Sequence, residues 1–377
     1  MARLDILLFA EDPSAANYAA LLLPAFARQG WTAQLHATAV ASSWLRSRGV
    51  ALTEASADAD ARSLLREINP RCVLTGTAEN PDTLGLHLID AARTAGIPSV
   101  AFIDALMSAP YRFRGTSETA LAHAPDWLLV PDGKTLEAFA GLGYPRQRMV
   151  VCGHPQYDQT RKLAEQWGNE GGAIAFRKRL FPDLAPEQKI LTFISEGALR
   201  YQLLPRRTME DYCFAGRGVD KGRTKIILEE VLDAVAELAE KPYVVFRAHP
   251  IEQAADYAEY ANEINRFSSG GDPLELVYAS DLTVGMTSML LLEAALLGRP
   301  TLAVLARVTE ADLLPSVRSG LTPHVLDRKG LRTVLPELLS AGFAANGHEK
   351  QDLLIADATE RVIRAIAHVI QLGGFPF

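Results

Sequence analysis

The sequence of 377 residues is poor in cysteine and in basic charge. Its three cysteines, Cys72, Cys152 and Cys213, lie far apart without a CxxC pair, so neither a disulfide framework nor a zinc site is indicated. Acidic residues outnumber basic ones by 45 to 38, which gives a net charge of -7. The chain therefore lacks the excess of basic residues that nucleic-acid binding needs. We therefore expect a cytoplasmic protein with no nucleic-acid partner.

Long apolar runs are also missing. The run from Leu4 to Ala10 ends at two acidic residues, and the run from Met289 to Leu297 is interrupted by Glu293. Both are too short for a signal peptide or a bilayer span, so no integral membrane segment is expected. With 48% hydrophobic and 22% charged residues, the chain can bury a large core, and its length suggests two domains.

Several common catalytic motifs are absent. No GxxxxGK[ST] loop, GxGxxG fingerprint, GxSxG elbow or HExxH helix occurs, which argues against the usual NTPases, dehydrogenases, serine hydrolases and metalloproteases. The segment GRGVDKGRT, residues 216–224, looks like a phosphate loop only superficially, because its spacing is wrong and no strand directly precedes it.

Short apolar runs alternate with longer amphipathic stretches, which predicts an α/β fold of parallel strands covered by helices. Candidate strands in a first block are 5–10, 32–38, 72–77, 98–104, 127–131 and 148–153. Those in a second block are 189–195, 243–250, 274–278, 281–285 and 300–306. Separating helices are expected at about 15–29, 59–68, 83–95, 135–142, 225–239 and 287–297, and a long helix at 348–372.

The charged segment 159–188 contains several glycines and prolines and is typical of a connection between domains. We predict an N-terminal Rossmann-like domain over 1–165, a C-terminal Rossmann-like domain over 186–345 and a C-terminal helix within 346–377. Two parallel sheets in series predict a cleft that the carboxyl ends of both sets of strands face. Functional residues should therefore lie in the loops that follow strands.

The strongest candidate in the second block is the strand that ends at Gly285 and turns into a helix near Thr287. A helix start offers free backbone N–H groups to a phosphate, so we predict nucleotide binding by Gly285, Met286, Thr287 and Ser288. Glu293 lies further along an apolar helix, where it could accept hydrogen bonds from ribose hydroxyls. Alternatively, Glu293 faces solvent or pairs with an arginine.

The strand end FRAHP places Arg247 and His249 on one face of a strand. Arginine suits phosphate oxygens, and histidine can bind a phosphate or transfer a proton, although His249 could equally be a structural histidine. The loop after the first strand of this block carries an excess of basic residues, and its start, Ser195 and Gly197, is also predicted to bind the nucleotide.

Loops that follow strands in the first block supply candidates for acceptor binding and for a catalytic base. The predicted acceptor-binding residues are Glu11, Ser14, Asn17, Glu79 and His154. The predicted base is Asp12 first and Asp104 second, with His249 of the second block as a further catalytic group. Acidic residues at helix starts also serve as caps, which is the alternative for Asp12 and Glu79.

The pattern D-x-x-x-G-x-x-S followed by E-A-x-x-x-G-x-P resembles the GT-B superfamily. The residues that carry it are Asp281, Gly285, Ser288, Glu293, Ala294, Gly298 and Pro300. The superfamily includes nucleotide-sugar glycosyltransferases, UDP-N-acetylglucosamine 2-epimerases and CDP-glycerol glycerophosphotransferases, and the segments GHPQYD and RAHP look like motifs of the last group. This resemblance implies a nucleotide held mainly by the C-terminal domain and an acceptor bound by the N-terminal domain.

These observations together predict a glycosyltransferase that moves a sugar from a nucleotide-sugar donor to a surface-polysaccharide or small-molecule acceptor. The donor is a substrate, and neither a cofactor nor a metal is expected. Alternatives within the fold are a UDP-sugar 2-epimerase or hydrolase and a CDP-glycerol-type glycerophosphotransferase. A non-catalytic, bilobed ligand-binding protein is the alternative of another class, and a homodimer is left open.

Overall fold

The structure is a computed structural model that describes residues 3–77, 81–104, 106, 108–197, 211–218, 222–250, 252–341 and 355–372. The chain divides into two compact units. Unit 1 comprises Met1–Gln159 and Ile355–Phe377, and unit 2 comprises Thr160–Leu354. The division lies at the start of the predicted connecting segment, and the C-terminal helix belongs to unit 1. None of the helices in the described ranges has the length and apolar character needed to cross a membrane.

Unit 1 is built on a parallel sheet of seven strands in the order β3-β2-β1-β4-β5-β6-β7. The strands are β1 (Ile6–Ala10), β2 (Ala33–Ala37), β3 (Thr53–Glu54), β4 (Cys72–Thr75), β5 (Ser99–Phe102), β6 (Trp127–Val130) and β7 (Met149–Val151). The helices are α1 (Pro13–Arg28), α2 (Ala39–Arg46), α3 (Ala61–Ile68), α4 (Leu84–Ala95), α5 (Gly133–Gly141) and, crossing the division, α6 (Pro155–Asn169).

The apolar run of β1 is continuous because both faces of the sheet are covered. Ile6 and Leu8 belong to a core shared with α1, whereas Leu7 and Phe9 belong to a core shared with α3 and α4. Alternate side chains of a strand point to opposite faces, so a strand buried on both sides needs apolar residues throughout. This explains why the first strand was readily predicted.

The strand order reverses between β1 and β4, so the connections that leave these two strands turn to opposite sides of the sheet. Such a reversal opens a crevice at the carboxyl ends of the strands. Gly76 follows β4 there, and a Cβ atom at this position would lie 2.4 Å from the Cβ of Ala15. Glycine is therefore required for β4 and α1 to approach each other at the reversal.

Unit 1 is completed by α13 (Ala358–Leu372) from the far end of the chain. Its Val362 and Ile366 join the core that contains α1, and Asp158 accepts a hydrogen bond of 2.6 Å from the backbone N–H of Ala358. The predicted start of this helix at 348 lies outside the described residues. Residues 355–357 are not helical, so the described helix begins at Ala358.

Unit 2 contains a parallel sheet of six strands in the order β10-β9-β8-β11-β12-β13. The strands are β8 (Ile190–Ile194), β9 (Tyr243–Arg247), β10 (Arg266–Ser268), β11 (Leu282–Gly285), β12 (Thr301–Val304) and β13 (His324–Val325). The helices are α7 (Gly172–Leu180), α8 (Arg223–Ala236), α9 (Pro273–Ala279), α10 (Met289–Leu296), α11 (Pro315–Arg318) and α12 (Arg328–Ala341). The prediction of two Rossmann-like parallel α/β domains is confirmed.

The predicted strand at 274–278 is wrong, because this segment forms α9. The alternation of leucine with Glu275 and the following Val277 and Tyr278 suggested a strand. Asp272 instead caps a helix by accepting a hydrogen bond from the Leu274 N–H at 2.9 Å, and Pro273 occupies the first helical position, where its missing N–H costs nothing. The cap and the burial of the following residues outweigh the strand propensity.

Asp281 joins three elements of unit 2 at the start of β11. Its carboxylate lies 2.9 Å from Arg177 of α7 and 3.4 Å from Lys189. It also accepts a hydrogen bond of 2.8 Å from the Ile190 N–H, at the start of β8. Its side chain is only 14% exposed. This residue of the GT-B-like pattern therefore has a structural role.

We expect Asp281→Ala to destabilise the protein by about 3 kcal/mol, because it removes the carboxylate that pairs with the largely buried Arg177 and accepts the Ile190 N–H. Urea denaturation followed by circular dichroism measures this. The matched control is Glu137→Ala, which removes an exposed ion pair with Arg146 and should cost about 1 kcal/mol or less. Equal losses in the two variants would contradict the role of Asp281.

Candidate functional site

The crevice of unit 1 contains a cluster of polar residues, here called the carboxylate cluster: Asp12, Ser14, Asp104, Arg112 and His154. Asp12 follows β1 and caps α1, accepting a hydrogen bond of 2.8 Å from the Ala15 N–H. The predicted alternative role of Asp12 as a helix cap is thus observed. A cap of this kind leaves the second carboxylate oxygen available for other contacts.

Asp104 follows β5 and is the centre of the carboxylate cluster. Its carboxylate lies 2.8 Å from the Arg112 guanidinium, and the two side chains are 16% and 6% exposed. The Ser14 hydroxyl also donates a hydrogen bond to Asp104. Arg112 in turn donates to Thr77 Oγ1 at 2.8 Å. The loops after β1, β4 and β5 are thereby joined at the strand reversal.

The environment separates the pKa values of the two aspartates. Burial raises the pKa of Asp12 to about 6, and the nearby charge of Asp104 contributes to the rise. Burial acts in the same direction on Asp104, but the positive charge of Arg112 and the hydrogen bond from Ser14 outweigh it and hold the pKa of Asp104 below its usual value. Asp104 is therefore ionised near neutral pH, and Asp12 is a base of intermediate strength.

His154 follows β7 and is buried against two aromatic rings. Its ring stacks on Tyr157 at 4.6 Å between centroids and meets Tyr18 edge-on at 4.9 Å. Burial lowers the pKa of His154 to about 4, although the charge of Asp104 opposes the shift. Its Nδ1 accepts a hydrogen bond of 3.1 Å from the Gln156 N–H. The imidazole is therefore neutral at pH 7, with its proton assigned to Nε2.

The other predicted acceptor-binding residues have separate positions. Glu11 is partly buried beside Thr83, which donates a hydrogen bond to it, and its pKa rises to about 8 through burial and the charge of Asp12. Asn17 accepts a hydrogen bond of 2.8 Å from the Trp44 indole, which joins α1 to α2. Glu79 lies outside the described residues. Acceptor binding by Glu11, Asn17 and Glu79 stays a prediction.

We expect Glu11→Gln to stabilise the protein relative to the wild type by about 3 kcal/mol more at about pH 8 than at about pH 5. When folding raises the pKa of a carboxyl group, the free energy of unfolding of the protein falls as the pH rises from the unfolded pKa through the folded pKa. Glutamine does not ionise, so this loss of stability is absent in the variant. Thermal unfolding at both values measures the difference. The exposed Glu118→Gln is the control, and a pH-independent effect of Glu11→Gln would refute the assignment.

In unit 2, the strand order reverses between β8 and β11, and the loops after these strands meet there. Thr287, which follows β11, donates a backbone N–H hydrogen bond to the Glu196 carboxylate, which follows β8. The Thr287 hydroxyl also donates to Glu196, at 2.9 Å. The anion position predicted at Thr287 is thus occupied by a carboxylate of the chain itself.

Arg223, at the start of α8, holds this carboxylate in place. Its guanidinium lies 2.6 Å from Glu196 and 2.8 Å from Glu310, and its side chain is 8% exposed. It also donates to Thr287 Oγ1 at 3.3 Å. Burial would lower the pKa of Arg223, but the two carboxylates outweigh it and keep the guanidinium charged. A buried cation and a backbone N–H therefore converge on one anion position.

The other residues predicted around this helix start lie as follows. Gly285 ends β11, and a Cβ atom there would make an ordinary contact of 3.5 Å with Ile194. Met286 is fully buried in the core. Ser288 caps α10, accepting a hydrogen bond of 3.3 Å from the Leu290 N–H. Glu293 is partly buried on α10, and its contact with ribose stays a prediction.

Arg247 and His249 follow β9 and are both engaged by the chain. The Arg247 guanidinium donates to Ser268 Oγ at 3.2 Å and to the Gly271 carbonyl at 3.3 Å. The backbone N–H of His249 donates to the buried Glu252 carboxylate at 2.9 Å. Burial lowers the pKa of His249, against the charges of Glu252 and Glu196. Contacts of Arg247 and His249 with a phosphate stay predictions.

Ser195 and Gly197 flank Glu196 after β8. Ser195 is buried, its hydroxyl lies 3.4 Å from the Tyr257 hydroxyl, and it accepts a hydrogen bond of 3.5 Å from the Gly197 N–H. Tyr257 also donates to Glu252 at 2.5 Å. These contacts order the start of the loop whose next residues, 198–210, lie outside the described part of the chain.

In the segment that resembled a phosphate loop, the first two backbone N–H groups are bound by carboxylates of the chain. The N–H of Gly216 donates to Glu230 at 2.8 Å, and the N–H of Arg217 donates to Glu229 at 2.6 Å. Both carboxylates are buried on α8. These two N–H groups are therefore not available to a phosphate.

The sequence did not single out Arg112, Glu196, Arg223 and Glu310 as site residues. Arg112 could have been found from the sequence. Asp104 at the end of a buried strand needs a nearby positive charge, and Arg112 lies in the same loop. Arg223 belongs to the basic loop that the sequence offered as a possible nucleotide site. Its pairing with Glu310 had no signal, because 87 positions separate the two residues and no local spacing relates them.

Comparisons with known proteins show the fold. No family model and no curated protein matches the sequence. A putative UDP-N-acetylglucosamine 2-epimerase from Listeria monocytogenes is similar in structure, with a TM-score of 0.66 and 14% identity over 100% of this chain and 99% of that one. The UDP-GlcNAc 2-epimerase from Methanocaldococcus jannaschii in complex with UDP-GlcNAc and UDP has a TM-score of 0.63 and 14% identity, over 97% and 100% of the two chains.

The wall teichoic acid polymerase TagF, in a structure with CDPG, has a TM-score of 0.53 and 11% identity, over 97% of this chain and 88% of TagF. All three neighbours are proteins of the GT-B type. The chain therefore has the GT-B fold of two Rossmann-like domains, as the residues around Asp281 to Pro300 had indicated.

Proposed function

We propose that this GT-B-fold chain is an enzyme of nucleotide-activated sugars, and specifically a glycosyltransferase that acts on a hydroxyl of a surface polysaccharide or a small molecule. The observation that carries the proposal is the carboxylate cluster at the strand reversal of unit 1. There, Asp12 has a pKa of about 6 and lies beside the ionised Asp104. A base of this strength is largely ionised at neutral pH and can still accept a proton from an attacking hydroxyl.

In the proposed reaction, the acceptor oxygen forms a bond to the anomeric carbon of the donor sugar. The bond between that carbon and the diphosphate oxygen breaks, and its electron pair leaves with the nucleoside diphosphate. The acceptor proton passes to a carboxylate oxygen of Asp12. Arg112 keeps Asp104 ionised, and the negative charge of Asp104 makes Asp12 a stronger base.

The nucleotide is proposed to bind unit 2 at the strand reversal between β8 and β11. Support comes from the Thr287 N–H and the buried Arg223, which already bind the Glu196 carboxylate as an anion. One similar structure contains UDP-GlcNAc and UDP, and the structure of TagF contains CDPG. The proposal therefore favours a nucleotide of uridine or cytidine, and no cofactor or metal is part of it.

A UDP-sugar 2-epimerase or hydrolase is the second candidate, favoured by the similar structures that are described as 2-epimerases. Incubation with radiolabelled UDP-GlcNAc and no acceptor separates the two activities. An epimerase or hydrolase converts the labelled substrate alone, whereas a glycosyltransferase requires an added acceptor. Before this, thermal-shift measurements with UDP, CDP, GDP and TDP identify the base, since a ligand of the folded form raises its melting temperature.

We expect Asp12→Asn to lower kcat by about 10²- to 10⁴-fold, because asparagine cannot accept the proton but can still cap α1. The wild-type kcat/KM should fall below about pH 6 as the Asp12 carboxylate is protonated. Steady-state kinetics over a pH series measures both effects. The control is Asp58→Asn, at an exposed position. Retention of full activity by Asp12→Asn would exclude Asp12 as the base.

We expect Glu196→Gln to tighten nucleoside diphosphate binding about tenfold, because it removes the carboxylate that competes for Thr287 and Arg223. Isothermal titration of the identified nucleotide measures the change in Kd. Glu187→Gln, at an exposed position, is the control and should bind like the wild type. Weaker binding by Glu196→Gln would mean that Glu196 supports the site rather than competing for it.

A further inference from the structure

Unit 1 has a cavity of about 560 Å³ beside the carboxylate cluster. It lies at the carboxyl ends of β1, β2 and β3 and at the start of α4. Its volume is in the range of roughly 300–1,000 Å³ that is usual for small-molecule sites. The polar residues that line it are Glu11, Thr38, Glu54, Ser56, Asp82 and Thr83.

The lining combines hydroxyl groups with a small apolar surface. Thr38, Ser56 and Thr83 each carry a hydroxyl. The hydroxyls of Ser56 and Thr83 donate to Asp58 and Glu11, and their oxygens retain capacity to accept hydrogen bonds. Alanines and Leu84 supply the apolar part. Sugar rings and polyols present the matching combination of hydroxyl groups and C–H surface. The described residues that line this cavity include no lysine or arginine.

Each of the three carboxyl groups of the lining has a neighbour that bears on its charge or position. Glu54 pairs with Arg46, and Asp82 lies 3.0 Å from His87 Nε2. Glu11 has its pKa raised to about 8, so it is mainly protonated at neutral pH. The cavity thus has carboxyl and hydroxyl groups for hydrogen bonding without a positive side chain that would favour an anion.

Glu11 connects the cavity to the proposed base. It is adjacent in sequence to Asp12, and the Asp12 charge contributes to the raised pKa of Glu11, which shows that the two carboxyl groups interact. The cavity and the proposed base are therefore linked through adjacent residues of the loop that follows β1.

We propose that this cavity binds the acceptor and that the bound part of the acceptor is an uncharged polyhydroxyl group, such as an unphosphorylated sugar ring. The inference rests on the proposed function and narrows its substrate class. A phosphorylated polyol or sugar phosphate is disfavoured, because its charge would meet Glu54 and Asp82 with no lysine or arginine in the described lining.

Saturation-transfer NMR with neutral and phosphorylated probes tests the inference. The neutral probes are glucose, N-acetylglucosamine, galactose and glycerol, and the anionic probes are glucose 6-phosphate and glycerol 3-phosphate. Ala57→Phe fills the cavity from an exposed position, and Ala51→Phe is the matched exposed control outside it. Glu11→Gln keeps a neutral hydrogen-bonding group, whereas Glu11→Ala removes it.

We expect at least one neutral probe to bind the wild type and Ala51→Phe, and to lose binding at least tenfold in Ala57→Phe and Glu11→Ala. Glu11→Gln should retain most of the binding. Preferential binding of the phosphorylated probes, equal binding by Ala57→Phe and Ala51→Phe, or no binding of any neutral probe overturns the inference.

Thermal-shift measurements of nucleotide binding by the same variants distinguish failure of the acceptor inference from failure of the proposed function. If UDP, CDP, GDP or TDP binds but no neutral probe does, the acceptor inference fails and the proposed function stands. If neutral probes bind but no nucleotide does, the proposed function fails, and the cavity is a sugar site of another kind.

Discussion

The reversal of strand order in each parallel sheet determines where chemistry can occur in this protein. Strands on either side of the reversal send their connections in opposite directions, so the carboxyl ends at β1 and β4, and at β8 and β11, are left uncovered by the crossover helices. Backbone N–H groups and polar side chains can be exposed there without breaking the sheet. Both groups of candidate residues are found at these reversals.

At both strand reversals an arginine compensates the charge of two carboxylates, but the two arrangements have different consequences. In unit 1, one arginine serves a pair of aspartates, so Asp104 is stabilised as an anion while Asp12 retains a pKa suited to proton transfer. In unit 2, Arg223 lies between two glutamates, and one of them also accepts the Thr287 N–H. Buried carboxylates need such partners, since an unpaired charge in the interior is costly. The first arrangement tunes acid–base strength, and the second preserves an anion position.

The fold could be predicted from the sequence to a large extent, because both sheets are buried on both faces and their strands are continuous apolar runs such as Ile6–Ala10. Placing Asp12 and Asp104 at strand ends also followed from the pattern. The error at 274–278 arose because a short apolar segment suits a strand and a helix equally, and the cap at Asp272 decided between them. The pairing of Arg223 with Glu310 depends on contacts between distant segments, which no local pattern records.

The return of the chain to unit 1 through α13 affects how the protein is made. Val362 and Ile366 fill a core whose other members come from α1 and β1, near the opposite end of the chain. During synthesis, unit 1 must therefore wait, with part of its apolar surface uncovered, until all of unit 2 has left the ribosome. Unit 2 is contiguous in sequence and has no such delay. The core around α1 is therefore completed only after the whole of unit 2 has been made.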